Sequence, residues 1–150
     1  MKPIADLLTP ERIVDLDTVQ KSDALRTLTR LIARFSAIPD ADLLLQRIIE
    51  REALMSTGIG IGIAVPHTRL DGITDFVIAL GRSKTGIEYD ALGGKPVHLI
   101  FMIIAPEISR SEYLKLLARI TVRLKDRTFY DAIMTADLPT DIYNLLARDA

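Results

Sequence analysis

The chain of 150 residues contains no cysteine and no tryptophan, and only 5% of it is aromatic. Without cysteine there is no disulfide framework, no thiolate nucleophile and no cysteine-ligated zinc or iron–sulfur centre. With so few aromatics, any core must be built from aliphatic side chains. An excess of one charge is missing too. The 19 lysines and arginines are matched by 20 aspartates and glutamates, for a formal net charge of −1. That balance gives no general attraction to nucleic acid or to an anionic membrane, so neither is expected as a partner. Long apolar runs are also lacking. The longest, Leu99 to Ala105, falls far short of the ~20 residues that span a bilayer, and no membrane insertion is expected. The opening Met1-Lys2-Pro3-Ile4-Ala5-Asp6 has no apolar stretch of export-signal length.

What is present suits a globular protein: 49% hydrophobic residues and a mean hydropathy of +0.23. A chain of this length buries roughly two thirds of its unfolded surface. A single cytoplasmic domain over residues 1–150 is the expectation.

Ile13-Val14-Asp15-Leu16 reads as a short first strand. Ser22 is placed to cap a helix carrying Leu25, Leu28, Leu31, Ile32 and Phe35 at three- and four-residue steps. Pro39-Asp40 opens a second helix, with Leu44, Leu45 and Ile48 on one face and Arg47, Arg51 and Glu52 near its end. Strands are predicted over 59–65 and 76–83, the latter running into a turn at Thr85-Gly86. Gly93-Gly94-Lys95-Pro96 turns the chain into 97–104, an aliphatic run typical of a strand buried on both faces. Ser109 and Glu112 have capping-box spacing, and the helix behind them carries Leu114, Leu117, Ala118, Thr121 and Leu124. Two shorter helices are predicted over 127–134 and 139–147. Strands interleaved with helices predict an α/β fold, a three-layer α/β/α sandwich. The turn at Asp71-Gly72 is too short for a parallel crossover, so the central sheet should be mixed, with helices on both faces.

The most informative stretch is 55–70. Gly58, Gly60 and Gly62 alternate with Ile59, Ile61 and Ile63. In a strand, alternation puts the glycines on one face and the isoleucines on the core face. A bare glycine face suits close approach by a backbone, an anion or a partner, and equally suits packing against a helix. Two nucleotide motifs fail. The third glycine comes one residue early for a dinucleotide fingerprint, and Tyr89 and Pro96 break the P-loop pattern. Pro66 should stop the strand and present His67 at its end. A neutral imidazole is a good nucleophile near pH 7, and its phosphoramidate is labile enough to pass a phosphoryl group on.

Arg51-Glu52-Ala53-Leu54-Met55-Ser56-Thr57-Gly58-Ile59-Gly60, followed by Gly62-Ile63-Ala64-Val65-Pro66-His67, resembles the active-site signature of fructose/mannitol-type EIIA components of the bacterial phosphotransferase system. The likeness covers nearly the whole chain and is strongest to the nitrogen-regulatory branch. It implies a mixed-sheet α/β/α fold. It also implies His67 as phosphoacceptor, taking a phosphoryl group on Nε2 from a small HPr/NPr-like phosphohistidine carrier. Arg51 matches the family's active-site arginine, whose guanidinium fork can offset charge on the transferring group. Read by itself, Arg51 would be a last-turn cation complementing the helix dipole.

The chain departs from the family pattern in three places. Tyr113 stands where a second active-site histidine is usual; it can donate a hydrogen bond but cannot become cationic. Thr68 replaces the usual small residue after the phosphoacceptor. Glu107 and Glu112 flank the third helix's opening, although N–H groups near Ser109 to Glu112 could form an anion site. His98, at the start of the buried strand, reads as structural.

The resemblance implies a phosphohistidine carrier in nitrogen or potassium regulation, with a downstream regulatory target or EIIB as partner and no cofactor or metal. The alternatives are a sugar-specific EIIA subunit, or an EIIA-like binding module that Tyr113 has deprived of efficient transfer. Two histidines without ligand spacing argue against a metal-dependent hydrolase, and the lack of a G-x-S-x-G elbow argues against a serine hydrolase.

Overall fold

A computed structural model describes residues 3–107 and 110–148. Its sheet has five strands: β1 (Ile13–Asp15), β2 (Ile63–Ala64), β3 (His67–Leu70), β4 (Val77–Ile87) and β5 (Val97–Pro106). The helices are α1 (Lys21–Arg34), α2 (Ala41–Leu54), α3 (Arg110–Lys125), α4 (Arg127–Thr135) and α5 (Pro139–Ala147). β4 and β5 form the central antiparallel pair, with Leu80 opposite Phe101. β1 lies parallel to β4, while β2 and β3 both lie parallel to β5 on its other side. The sheet is therefore mixed, as expected. The short segment after Leu70 crosses the end of β5 to reach β4, which needs no helical crossover because β3 and β4 run in opposite directions.

The pleat of β5 divides the core in two. Leu99, Phe101, Ile103 and Ala105 point to a cluster closed by Leu116, Ile120 and Leu124 of α3, Phe129 and Ile133 of α4, and Ile142 and Leu146 of α5. Ile100, Met102 and Ile104 point the other way, against Leu25, Leu28 and Ile32 of α1 and Leu44 and Ile48 of α2. With two helices on one face and three on the other, the molecule is the expected three-layer α/β/α sandwich. Asp40 caps α2 by accepting from the Leu43 N–H at 3.0 Å. No helix among the described residues is long and apolar enough to cross a membrane.

Four local expectations are corrected. Ser22 is not the cap of α1; Gln20 holds that position without a side-chain bond, because its bridge to Glu88 keeps it extended. The glycine stripe is not a strand. Gly60 and Gly62 take φ of +85° and +82°, in the left-handed region where glycine is favoured. The segment folds back on itself, the Ile59 N–H donating to the Ile63 carbonyl at 2.9 Å. Only Ile63 of the three isoleucines is buried, and Ile61 is exposed. A Cβ on Gly62 would also stand 2.6 Å from the Tyr130 hydroxyl.

Pro66 interrupts the strand rather than ending it. Its carbonyl accepts from the Ile103 N–H at 3.0 Å, and His67 opens β3 opposite Ile103. The fourth correction concerns α3. The row Leu116, Ile120 and Leu124 faces the sheet, whereas Leu114 is 58% exposed and Ala118 is on the surface. Apolar residues surround most of that helix, so spacing alone admits more than one buried face. The capping box expected at Ser109 and the anion site beside it lie outside the described residues.

Two buried arginines brace the edges of this fold. Arg82, fully buried, pairs with Asp15 at 2.6 and 3.0 Å and donates to the Ile133 and Ala136 carbonyls at 2.9 and 2.5 Å. Arg12 donates to the Ile78 and Leu7 carbonyls, each at 2.9 Å.

Candidate functional site

A cavity of about 330 Å³ opens where β3 meets α2 and α3, lined by Arg51, His67, Thr68, Arg69, Tyr113 and Leu114. Three elements from distant parts of the chain thus bring together the three residues singled out by sequence. Arg51 arrives from the last turn of α2, His67 from the first residue of β3 and Tyr113 from the first turns of α3.

His67 is half-buried, and its Nδ1 lies 2.7 Å from the Val65 carbonyl oxygen. A carbonyl only accepts, so Nδ1 carries the proton in this bond. Burial pushes the His67 pKa below its ordinary value. The Val65 bond opposes that shift, the charge of Arg51 adds to it, and the charge of Glu52 opposes it. A neutral ring protonated at Nδ1 keeps its lone pair on Nε2, the nitrogen remote from the backbone.

The Arg51 guanidinium donates one bond to the Met55 carbonyl at 3.0 Å. It therefore serves the end of α2, as its helix-dipole reading expects, while lining the cavity as well. The Tyr113 ring lies 4.9 Å from that of His67, centroid to centroid. Its hydroxyl is buried and has no hydrogen-bond partner among the described residues. Burial drives its pKa well above the ordinary tyrosine range, with Arg51 opposing, so the phenol stays protonated. A buried hydroxyl with no partner among the described residues is available to an acceptor that enters the cavity.

Arg69 was not anticipated. It sits two residues after His67 on β3, and the period-two alternation of a strand gives the two side chains the same face. That signal was legible only once β3 was recognised as a strand. Among the described residues, the cavity holds two guanidinium groups and no carboxylate. Glu107 and Glu112 are exposed and do not line it. Thr68 does, with its hydroxyl 3.4 Å from the Arg69 carbonyl. His98 lies elsewhere, its Nδ1 bonded to the Ser83 carbonyl at 2.8 Å, consistent with a structural role.

Comparison with known proteins agrees with this fold. Residues 6–149 match the family described as phosphoenolpyruvate-dependent sugar phosphotransferase system, EIIA 2. A nitrogen regulatory protein from Pseudomonas aeruginosa is 33% identical over 144 residues, covering 95% of this chain and 94% of its own. The fructose-specific EIIABC component of Bacillus subtilis is 31% identical over 144 residues, and there the chain spans only 23% of the relative's length. The crystal structure of nitrogen regulatory protein IIA-Ntr from Neisseria meningitidis superposes with a TM-score of 0.88 at 28% identity, covering 95% of this chain and 98% of that one. By sequence and by fold, this chain belongs to the EIIA type 2 family of the phosphotransferase system.

Proposed function

We propose that this EIIA domain is a phosphohistidine carrier, with Nε2 of His67 accepting a phosphoryl group from an HPr/NPr-like carrier protein and passing it on in nitrogen or potassium regulation. The supporting observation is the 2.7 Å bond from His67 Nδ1 to the Val65 carbonyl, because it selects the tautomer with a free Nε2 lone pair. That lone pair forms the new N–P bond as the donor's N–P bond breaks. The electron pair of the broken bond returns to the donor imidazole. His67 keeps its Nδ1 proton, so its ring becomes cationic and the bond to Val65 becomes charge-assisted.

Phosphoryl transfer asks little covalent chemistry of the protein beyond positioning and charge compensation. Arg51 and Arg69 supply positive charge around the incoming oxygens. Tyr113 supplies one neutral hydrogen bond in place of the family histidine. The nitrogen-regulatory relatives support the regulatory role. Similarity to the fructose-specific protein of B. subtilis supports a second reading, a sugar-specific subunit that hands the group to an EIIB partner.

The test is incubation with phosphoenolpyruvate, the first enzyme of the system and the phosphocarrier. An acid-labile mass gain of one phosphoryl group is expected for the wild type and none for His67→Ala, whose fold should be intact. Labelling that persists in His67→Ala would sink the assignment. No gain in the wild type would instead favour a binding module that has lost transfer.

A further inference from the structure

Behind the cavity runs a chain of polar contacts that phosphoryl transfer itself does not touch. Glu52, next to Arg51 on α2, is charged yet only 7% exposed. Its carboxylate pairs with Lys21 Nζ at 2.9 Å, accepts from the Thr57 N–H at 3.2 Å, and accepts also from the Thr57 hydroxyl. The same hydroxyl oxygen lies 3.1 Å from the buried Tyr89 hydroxyl, and the Lys21 ammonium sits 4.4 Å above the Tyr89 ring. Thr57 is thereby held by three hydrogen bonds, two with Glu52 and one with Tyr89. It then holds the residue that holds His67. The Val65 N–H donates to the Thr57 carbonyl at 3.1 Å, and the Val65 carbonyl accepts from His67 Nδ1 at 2.7 Å.

We propose that Glu52 and Thr57 are positioning residues for His67, acting through Val65 to fix the ring orientation and tautomer that leave Nε2 free. The inference rests on His67 being the phosphoacceptor. A partly buried ion pair adds little net stability, because desolvation of Glu52 offsets its attraction, so fixing geometry is the use we assign it. The segment it fixes needs such an anchor. Between Thr57 and Val65 the chain makes a turn through two left-handed glycines, and β2 is only two residues long. Glu52 also adds a smaller electrostatic effect on the imidazole, opposing that of burial.

The test uses the full chain in two measurements. Ring-nitrogen NMR of His67 reads the tautomer with no phosphoryl donor present, and single-turnover uptake from the phosphorylated carrier reads the rate. Thr57→Val keeps the shape but removes the hydroxyl, Glu52→Gln removes the charge at constant size, and Thr57→Ser restores the hydroxyl. In wild type and Thr57→Ser, His67 should be predominantly protonated at Nδ1. Thr57→Val and Glu52→Gln should give a tautomer mixture and uptake slower by about tenfold, the scale of one hydrogen bond to a charged group. An unchanged tautomer in folded Glu52→Gln would overturn the proposal, whether or not Thr57→Val folds. Slow uptake without a tautomer change would do the same. If the wild type accepts no phosphoryl group, the phosphoacceptor reading fails, while the tautomer comparison still judges the positioning.

Discussion

The rings of His67 and Tyr113 stand 4.9 Å apart between centroids, tilted by 42°, although 45 residues lie between them in the chain. The contact places the phenol of the cavity beside its imidazole, with the phenol's buried hydroxyl lacking a partner among the described residues.

Tyr113→Phe should consequently act in opposite directions on two measurements. Removing an unsatisfied hydroxyl should leave the unphosphorylated protein unchanged or more stable, by up to about 1 kcal/mol in denaturant unfolding. The same change should lower the equilibrium level of phosphorylated His67, since a donor to the phosphoryl oxygens is lost. Tyr113→His should raise that level several-fold below pH ~6.5, where the new imidazole is cationic, with the gain fading as it deprotonates. The readout is phosphoryl partition between carrier and EIIA domain from pH 6 to 8. Two mutants with unaltered partition would reduce Tyr113 to a packing residue.

Arg51→Ala should slow phosphoryl uptake by about 10²-fold, the loss expected for one preorganised donor in a transition state. Arg51→Lys should recover only part of the rate, because an ammonium cannot form the bidentate fork. Arg69→Ala should show a smaller loss, since this side chain is exposed at the cavity edge. Rapid-quench uptake measurements rank the three. Equal rates for Arg51→Ala and wild type would return Arg51 to its bond with the Met55 carbonyl alone.

The lowered pKa of His67 has a directional consequence. At pH 6.5 an ordinary histidine is about half protonated, whereas His67 should remain mostly neutral and nucleophilic. Its NMR titration midpoint should fall below the ordinary histidine value of ~6.5, and it should rise again in Arg51→Ala, which removes a charge that opposes protonation. A midpoint above ~6.5 in the wild type would contradict the burial argument.

Arg82 offers a test of the scaffold. Its replacement by Leu strands the Ile133 and Ala136 carbonyls and should cost about 3 kcal/mol in chemical denaturation, the upper end for leaving buried acceptors unpaired. Asp15, its partner, has a folded pKa held below the usual carboxylate value chiefly by the Arg82 hydrogen bond. A lowered folded pKa means that the unfolded state binds the proton more readily. Stability from this group is therefore present above about pH 4 and is lost as the pH falls through the folded value. In Asp15→Asn that part of the acid dependence should vanish.

The EIIA-type motif was legible in sequence because Arg51, Ser56-Thr57-Gly58 and Pro66-His67 all lie within one short stretch. The layer order was legible too, since the period-two core of β5 and the helical spacing in α1 and α2 are local patterns. Local patterning misled at the glycines. Alternation of Gly and Ile is as compatible with a turn as with a strand, and the bonds of Gly62 to His98 and Leu99 decide between them.

By itself, then, the sequence determined the aliphatic core, the three-layer class and which imidazole we propose as phosphoacceptor, because each depends on residue type or short-range spacing. Only the tertiary structure decided that Arg69 shares the cavity, that Tyr113 lies against His67, and that Glu52 reaches His67 through Thr57 and Val65. The physical reason is that each of these depends on where a strand breaks, how a helix is rotated or which backbone groups pair. Those choices are made by close packing and by the requirement that buried polar groups find partners, and they couple residues that no local spacing connects.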